Sequence, residues 1–447
     1  MTSTMNAMTS TISERTLQQP TAPATLERAG LSLDLVMQLA LKLLHLSGEL
    51  AGAELARRLG LNFSAIEPAI EALISQRLVE IRVGTMLGRS TYRYRITDNG
   101  RVRAAMFLKN SHYVGFAPVP LEQYRQYVLQ FAECRPARAS REEVREAFSH
   151  LVLSDRVLDQ LGAALNGGHS MFVYGHPGNG KTAISQAIRC LVQGEIAVPH
   201  ALEVEGNIIQ VFDPVNHEPV ERETSDVITL DGGSQQDRRW VICKRPMVMA
   251  GGELTIDELE LGYNGRTGVY SAPIQARANG GVLVIDDFGR QPCSPRDLLN
   301  RWIVPLESGA DFLTLKTGQK FALPFLALVV FATNIRPAEL VDEAFLRRIR
   351  YKIFAESPTL TGFMRIFERV CAERGLPFDQ TAVEHMLRTY YRPKMVELRA
   401  CQPRDLVEGV LALADYGGVP RQLSPQLLRD ACATYFVDDR DLPASYA

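Results

Sequence analysis

Between residues 32 and 110 the apolar positions first recur with a helical period and then alternate. Ser32 caps a helix running to Leu46, with Gly48 as its stop, and a second helix covers Ala53 to Leu59 before Gly60. The third carries Ile66, Ile70, Leu73 and Ile74 on one face, and Ser64 with Glu67 forms a capping box at its start. Two strands follow, Val79 to Val83 and Tyr92 to Ile96, joined by a loop with Gly84, Gly88 and Ser90. Alternation puts Val79, Ile81, Val83, Tyr92, Tyr94 and Ile96 on one side and Arg82, Arg93 and Arg95 on the other. Another helix begins after Thr97-Asp98-Asn99-Gly100.

Further on, a helix from Leu121 to Cys134 lies among Pro118, Pro120 and Pro136, and Ser140 with Glu143 opens the next one. Short continuous apolar runs then mark buried strands: Met171 to Tyr174, Gly281 to Ile285, Phe325 to Ala332 and Tyr351 to Phe354. Hairpins are expected at Glu203 to Phe212, turning at Glu205-Gly206-Asn207, and at Phe312 to Leu323, turning near Thr317-Gly318. Beyond Ser357 the pattern is helical: Thr361 to Arg374, Thr381 to Tyr391, Arg404 to Tyr416 and Pro425 to Phe436.

Composition narrows the class. A chain of 447 residues, 46% hydrophobic and 22% charged, reads as a soluble globular protein of about two to four domains. A net charge of -2 exerts no general pull on nucleic acid or acidic lipid. The seven cysteines show no CxxC pair and no metal-ligand spacing, so reduced thiols in the cytoplasm are expected. The N-terminus lacks the pattern of a signal peptide, and Leu31 to Leu46 is interrupted by Asp34, Lys42 and His45, so no membrane insertion is expected. Residues 1–28, rich in Ser, Thr, Pro and Gln, read as a disordered tail.

The chemistry centres on Gly175-His176-Pro177-Gly178-Asn179-Gly180-Lys181-Thr182, followed by Ala183: two glycines five apart, then Lys and Thr, between a strand and a helix. The glycines let successive N–H groups face one point, and the helix start adds its positive end, a cradle for phosphate. Lys181 would reach the outer phosphates, and the Thr182 hydroxyl would ligate Mg2+. The strand ending at Asp286 and Asp287 supplies two carboxylates where an open α/β sheet holds ligands. Asp286 would hold the hydration shell of the magnesium, and Asp287 would polarise the attacking water. Asn334, after Thr333, sits at the tip of the next strand.

The order of phosphate loop, acidic strand, Asn-tipped strand and Phe345-Leu346-Arg347-Arg348-Ile349-Arg350 before a last strand resembles the AAA+ ATPases, over residues from about 145 to 435. The first eighty residues after the tail resemble a winged-helix domain. The fold implied is α/β: a P-loop NTPase (AAA+) parallel sheet with a helical lid, plus an N-terminal winged-helix domain. The expected division is a tail (1–28), a winged-helix-like domain (29–110), a linker with a helix (111–144), the α/β ATPase domain (145–356) and the lid (357–447). The resemblance implies ATP and Mg2+ as cofactors and Asn334 as the sensor-1 residue. It places the arginine finger reaching a neighbouring subunit at Arg348, or else Arg347. Gln402-Pro403-Arg404-Asp405 resembles sensor 2, which puts Arg404 near the phosphates.

Two departures stand out. The usual Asp-Glu pair is here Asp286-Asp287, one methylene shorter, which predicts slow turnover. An extended region precedes the acidic strand and contains Leu261-Gly262-Tyr263-Asn264-Gly265, similar to loops that AAA+ rings point into their central pore. Together with Thr267-Gly268-Val269-Tyr270 it resembles the substrate-engaging loop of bacterial enhancer-binding activators. The whole chain resembles bacterial AAA+ proteins described as ATPases with chaperone-like activity. The expectation is a homo-oligomer, a hexameric ring, remodelling an unidentified protein partner engaged by Tyr263. Alternatives are a DNA-associated AAA+ regulator of transcription or replication and an ATP-gated assembly switch with weak hydrolysis. DNA binding through residues 29–110 is disfavoured by Glu67 and Glu71 near the start of the third helix, although Arg82, Arg89, Arg93 and Arg95 offer backbone contacts.

Overall fold

The computed structural model describes residues 19–82, 88–134, 139–221, 236–340 and 346–436. Val83, Gly84, Pro136, Phe345 and the last eleven residues, singled out above or included in the expected domains, lie outside them.

The four apolar runs, joined by an edge strand at Met247–Ala250 that was not expected, form one five-stranded parallel sheet: β1 (Met171–Tyr174), β2 (Met247–Ala250), β3 (Val282–Ile285), β4 (Leu328–Thr333) and β5 (Tyr351–Phe354), in the order β2-β3-β4-β1-β5. The three central strands β1, β3 and β4 are buried on both faces, which is why they read as continuous apolar runs rather than alternating ones, whereas the edge strands expose Met249, Lys352 and Phe354. On one face Val173, Val282, Val284, Val330 and Ile353 pack under the helices Asp155–Gly167 and Lys181–Ala187. On the other, Phe172, Leu283, Ile285 and Phe331 pack against Leu298, Leu299 and Trp302 of the helix Pro295–Ser308. With the helical bundle that follows, Leu360–Glu373, Gln380–Met386, Gln402–Gly417 and Pro425–Tyr435, this is the α/β architecture that the sequence resemblance implies. Phe363, Phe367, Val383, Leu406, Val410 and Leu428 form the core of the bundle.

A second, β-rich layer fills the extended region. Its five-stranded sheet runs, in spatial order, Gly262–Asn264, Val269–Ser271, Asn207–Gln210, Ala201–Val204 and Val119–Pro120. Glu205 and Gly206 turn the first expected hairpin with φ of 51° and 77°, the left-handed pair of a tight two-residue turn. The second expected hairpin, Ala310–Thr314 with Lys320–Pro324, is also present. Within residues 111–144, expected as a linker with a helix, the helix is present and the segment packs into this layer. Leu121–Glu133 is a helix whose Tyr124, Tyr127, Val128 and Phe131 are buried in the core of this layer, and Val119–Pro120 is one of its strands.

Three helices, Leu33–Ser47, Gly52–Leu59 and Phe63–Ser75, and a three-stranded antiparallel sheet form the N-terminal unit around Leu39, Leu41, Leu55, Ile66 and Ile70. Its third strand, Glu49–Ala51, was not expected. The Ser64–Glu67 capping box does not form: the helix starts at Phe63 after Asn62, and the Ser64 hydroxyl donates to Ala24 O at 2.8 Å. Nor is the described part of the expected tail unstructured. Thr21 bridges Gln236, Asp237 N–H donates to Pro20 O at 3.0 Å, and Leu26–Ala29 is a helical turn. Composition missed this because the partners lie about two hundred positions away in the sequence. Arg239, 2% exposed, secures the junction through paired bonds to Asp237, one to Ala29 O at 3.0 Å and one to Gln123 Oε1 at 3.3 Å.

Candidate functional site

Three strand tips of the parallel sheet meet at one place. From β1 the chain enters the loop Gly175–Gly180, where Gly175, Gly178 and Gly180 have φ of 152°, 82° and 74°. A side chain on Gly178 would strike Cys401 Sγ at 2.6 Å, whereas nothing lies within 4 Å of where one on Gly180 would stand. The loop is therefore closed toward the helical bundle and open at its tip. Asn179 anchors it, its Nδ2 donating to Ala355 O at 3.3 Å and Ser357 Oγ at 3.0 Å.

Lys181 is buried, and its Nζ donates to His176 O at 3.0 Å. Burial pushes its pKa down, and the charges of Asp286 and Asp287 only partly offset that. Thr182 donates its hydroxyl proton to Asp286 Oδ2 at 2.7 Å, joining residues 104 positions apart. Ala183 continues the helix behind the loop.

The acidic turn is held with unusual care. Asp287 has φ of 47°, a left-handed conformation that Asp tolerates better than most side chains. Gln291 supports it from beneath: Nε2 donates to Asp286 O at 3.2 Å and Gly251 O at 3.2 Å, and Oε1 accepts from Gly289 N–H at 2.8 Å. Phe288 turns inward, 1% exposed, against Phe172 and Phe331. Its N–H donates to Ala332 O, and its carbonyl accepts from Thr333 Oγ1 at 2.6 Å, which locks the acidic turn to the tip of β4. Asn334, from that tip, donates through Nδ2 to Asp287 Oδ1 at 3.2 Å, while its Oδ1 is buried without a partner. Lys181, Thr182, Asp286, Asp287 and Asn334 are thus brought together.

The arginines divide. Arg348 is paired with Glu307 at 2.5 Å, and Arg350 meets His169 Nε2 at 2.9 Å. Arg347 is exposed. In the bundle, Arg404 lies in the first turn of Gln402–Gly417, is exposed, and makes no hydrogen bond among the described residues. Arg399 instead reaches the loop. Its charge bears on Lys181, its Nη1 donates to Ser357 Oγ at 3.2 Å, and its Nη2 pairs with Glu397. Nearby, Cys401 N–H donates to Gly178 O at 2.8 Å. Sequence reasoning missed Arg399, Cys401 and Gln291. The Gln402-Pro403 helix start drew attention to Arg404, and only the contact between Cys401 and Gly178 identifies the residues just before that start.

Tyr263 is not in a free loop. It lies in Gly262–Asn264, an edge strand paired with Val269–Ser271, with its ring 4.8 Å from that of Tyr270 and Lys316 Nζ 4.7 Å above it. The far end of this hairpin rests on the N-terminal unit, where His112 N–H donates to Thr267 O at 2.7 Å. Tyr263 remains 40% exposed, beside Arg266, in an open hollow.

On the N-terminal unit, Arg89 binds both Glu67 (3.0 Å) and Glu71, Arg93 binds Glu49, and Arg95 lies 3.8 Å from Glu80. The third helix begins beside Ala24, and Gly60, just before it, is pressed against Phe116 and the Arg238–Arg239 backbone. All seven cysteines are free. Among the described residues no cluster suits a metal by side chains alone, and no helix is long and apolar enough to cross a membrane.

Comparison with known proteins adds the following. Residues 359–434 match a family described as a domain of unknown function (DUF8689). No curated protein matches. Among solved structures, the Holliday junction branch migration motor RuvB of Thermotoga maritima is 15% identical, with 66% of this chain and 73% of that one covered and a TM-score of 0.36. NtrX from Brucella abortus is 14% identical, covering 73% and 65%, with a TM-score of 0.39. A complex of the magnesium chelatase subunits BchI and BchD is 18% identical, covering 64% and 95%, with a TM-score of 0.31. Likenesses of this size assign neither activity nor partner.

Proposed function

We propose that this chain is an ATPase of the AAA+ kind that assembles as a ring in the cytoplasm and remodels a protein partner. The observation that carries the proposal is the meeting of Lys181, Thr182, Asp286, Asp287 and Asn334 at neighbouring strand tips. These residues fit a magnesium nucleotide. Thr182 and Asp286 present hard oxygen donors side by side, Lys181 is a buried cation near Asp286 and Asp287 whose one hydrogen bond among the described residues goes to a carbonyl, and Asn179 and Asn334 each keep a buried Oδ1 without a partner.

The roles follow from position. The loop N–H groups and Lys181 bind the phosphates, and Thr182 and Asp286 hold the cation, which when bound supplies neutralisation of phosphate charge. Asp287 takes the proton of the attacking water, and Asn334, bonded to that carboxylate, sets its direction. Arg399 stabilises charge from the bundle side in place of Arg404, and Arg347 is the better finger candidate, since Arg348 is engaged by Glu307.

The N-terminal unit, read as a winged helix, serves the assembly rather than duplex DNA. Three of its basic side chains already have carboxylate partners, and the start of its third helix is covered by the chain itself. A second reading, a nucleotide-controlled assembly switch, is favoured by one feature: the short Asp287 carboxylate is occupied by Asn334. Phosphate release in Mg2+-ATP, abolished by Lys181→Ala, supports the enzyme. Nucleotide-dependent assembly without release supports the switch. For the shared site, protomers carrying Arg347→Ala and Arg348→Ala should regain turnover when mixed with Lys181→Ala protomers, and no recovery at any ratio refutes it.

A further inference from the structure

The turn that carries Asp286 and Asp287 at the tip of β3 is fastened on two sides. Toward β4, Phe288 is locked to Ala332 and Thr333. Toward β2 the fastening is a single side chain, Gln291, which is 8% exposed. Its Nε2 lies 3.2 Å from Asp286 O, 3.2 Å from Gly251 O just past the end of β2, and 3.4 Å from Asp287 O. Its Oε1 accepts from Gly289 N–H. Asp287 O also accepts from Arg290 N–H at 3.0 Å, and Gly251 O from Leu254 N–H at 3.3 Å. For Asp286 O and Gly289 N–H, Gln291 is the one partner among the described residues.

The left-handed backbone at Asp287 decides where its carboxylate goes, because the side chain leaves Cα in a direction set by that residue's own φ. A short carboxylate has little reach to correct a wrong start, and this one meets Asn334 Nδ2 at 3.2 Å. A buried polar group is costly to leave unpaired. Without Gln291, Asp286 O and Gly289 N–H lose their partner, and the turn recovers one by letting Asp287 relax out of the left-handed region, which swings its carboxylate off Asn334. Asp286 keeps its own backbone anchor, N–H to Ala250 O at 2.8 Å, and its bond to Thr182, so the cation side of the site does not depend on Gln291. We propose that Gln291 is a positioning residue for phosphoryl transfer: by holding Asp287 left-handed it brings an acid one methylene shorter than glutamate to the attacking water. This deepens the nucleotide-site reading above and rests on it.

The test uses the full chain, with Mg2+-ATPγS affinity and single-turnover phosphate release from Mg2+-ATP measured side by side. Gln291→Met keeps the length and removes every bond. Gln291→Glu fills the same space and still accepts from Gly289 N–H, but its carboxylate donates nothing to the three carbonyls. In both, affinity stays within about threefold while release slows by about 10- to 100-fold, the cost of misplacing a reacting group by up to an ångström. A role confined to stability moves affinity and melting temperature together and leaves the rate of the bound complex alone. Asp287→Glu completes a cycle. On the unaltered turn it slows release, because glutamate accepts a left-handed backbone less readily than aspartate. On the Gln291→Met turn, where that backbone is no longer imposed, the same change costs about tenfold less. Release at the unaltered rate in both Gln291 variants, losses that simply multiply in the double variant, or loss of ATPγS binding in both Gln291 variants overturns the proposal. An unaltered chain that binds no ATPγS or releases no phosphate is a different result, and it removes the nucleotide-site reading together with this one.

Discussion

Lys181 should behave oppositely with and without nucleotide. Its ammonium is buried, its one hydrogen bond among the described residues goes to a carbonyl, and burial depresses its pKa, so without nucleotide the charge is a burden. Lys181→Met keeps the length and removes that burden, so the thermal midpoint without nucleotide should equal or exceed that of the unaltered protein. With nucleotide the balance reverses. A hydrogen bond to a charged group is worth about 1.5–3 kcal/mol, which is roughly a 10- to 160-fold loss of affinity. At nucleotide one hundred times the original dissociation constant, binding stabilises the unaltered chain by about 2.7 kcal/mol. The same concentration should stabilise Lys181→Met by only about 0.3–1.4 kcal/mol. Scanning fluorimetry with and without Mg2+-ATPγS reads both effects. A nucleotide-free variant that melts several degrees lower, or a nucleotide shift equal to that of the unaltered protein, would refute the reasoning.

Three further outcomes are expected. Arg399→Ala should slow turnover by roughly 10- to 160-fold, the worth of a charged hydrogen bond, while Arg404→Ala leaves it unchanged; steady-state phosphate release distinguishes them, and the reverse ranking rejects Arg399. Burial lowers the pKa of Lys42 to about 8, and its Nζ has only Tyr113 O at 3.4 Å. Because the unfolded chain binds this proton more tightly, stability due to Lys42 rises as pH climbs from about 8 toward 10.5, so Lys42→Met should raise the melting temperature at pH 7 and lose that advantage above pH 10.5. His200, stacked 4.1 Å from Phe116, is lowered by burial to about 4 from 6.5. The fold should therefore lose up to roughly 3 kcal/mol as pH falls from about 6.5 to about 4, and His200→Phe, which keeps the stack, should flatten that part of a urea-denaturation pH profile.

The parts of the molecule that were legible are those written locally. Glycines at fixed offsets before Lys181 and Thr182 mark the phosphate loop, and Val282–Ile285 reads as a buried strand because both of its faces are covered. Glu205-Gly206 announces its hairpin because the turn needs left-handed residues. What stayed hidden depends on distant partners. The pairing of Val119–Pro120 with Ala201–Val204 turns an apparent linker into a strand, and Ala24 takes the Ser64 hydroxyl away from its own helix. Alternation put Ile81 on one side with Val79, Tyr94 and Ile96, which are buried, yet near the end of a short strand Ile81 is exposed. Arg399 escaped because its meaning lies in the contact between Cys401 and Gly178, which no spacing reveals. The segment around Tyr263 reads in the sequence as a loop, and the strand that carries it and the lysine above it are visible only in three dimensions.

The most direct measurement is phosphate release from purified chain in Mg2+-ATP, run beside Asp287→Asn with ATP binding measured for both. The account predicts slow but measurable release by the unaltered chain and none by Asp287→Asn, with ATP held by each at similar affinity. Equal release by the two, or no release from the unaltered chain with ATP firmly bound, would contradict it.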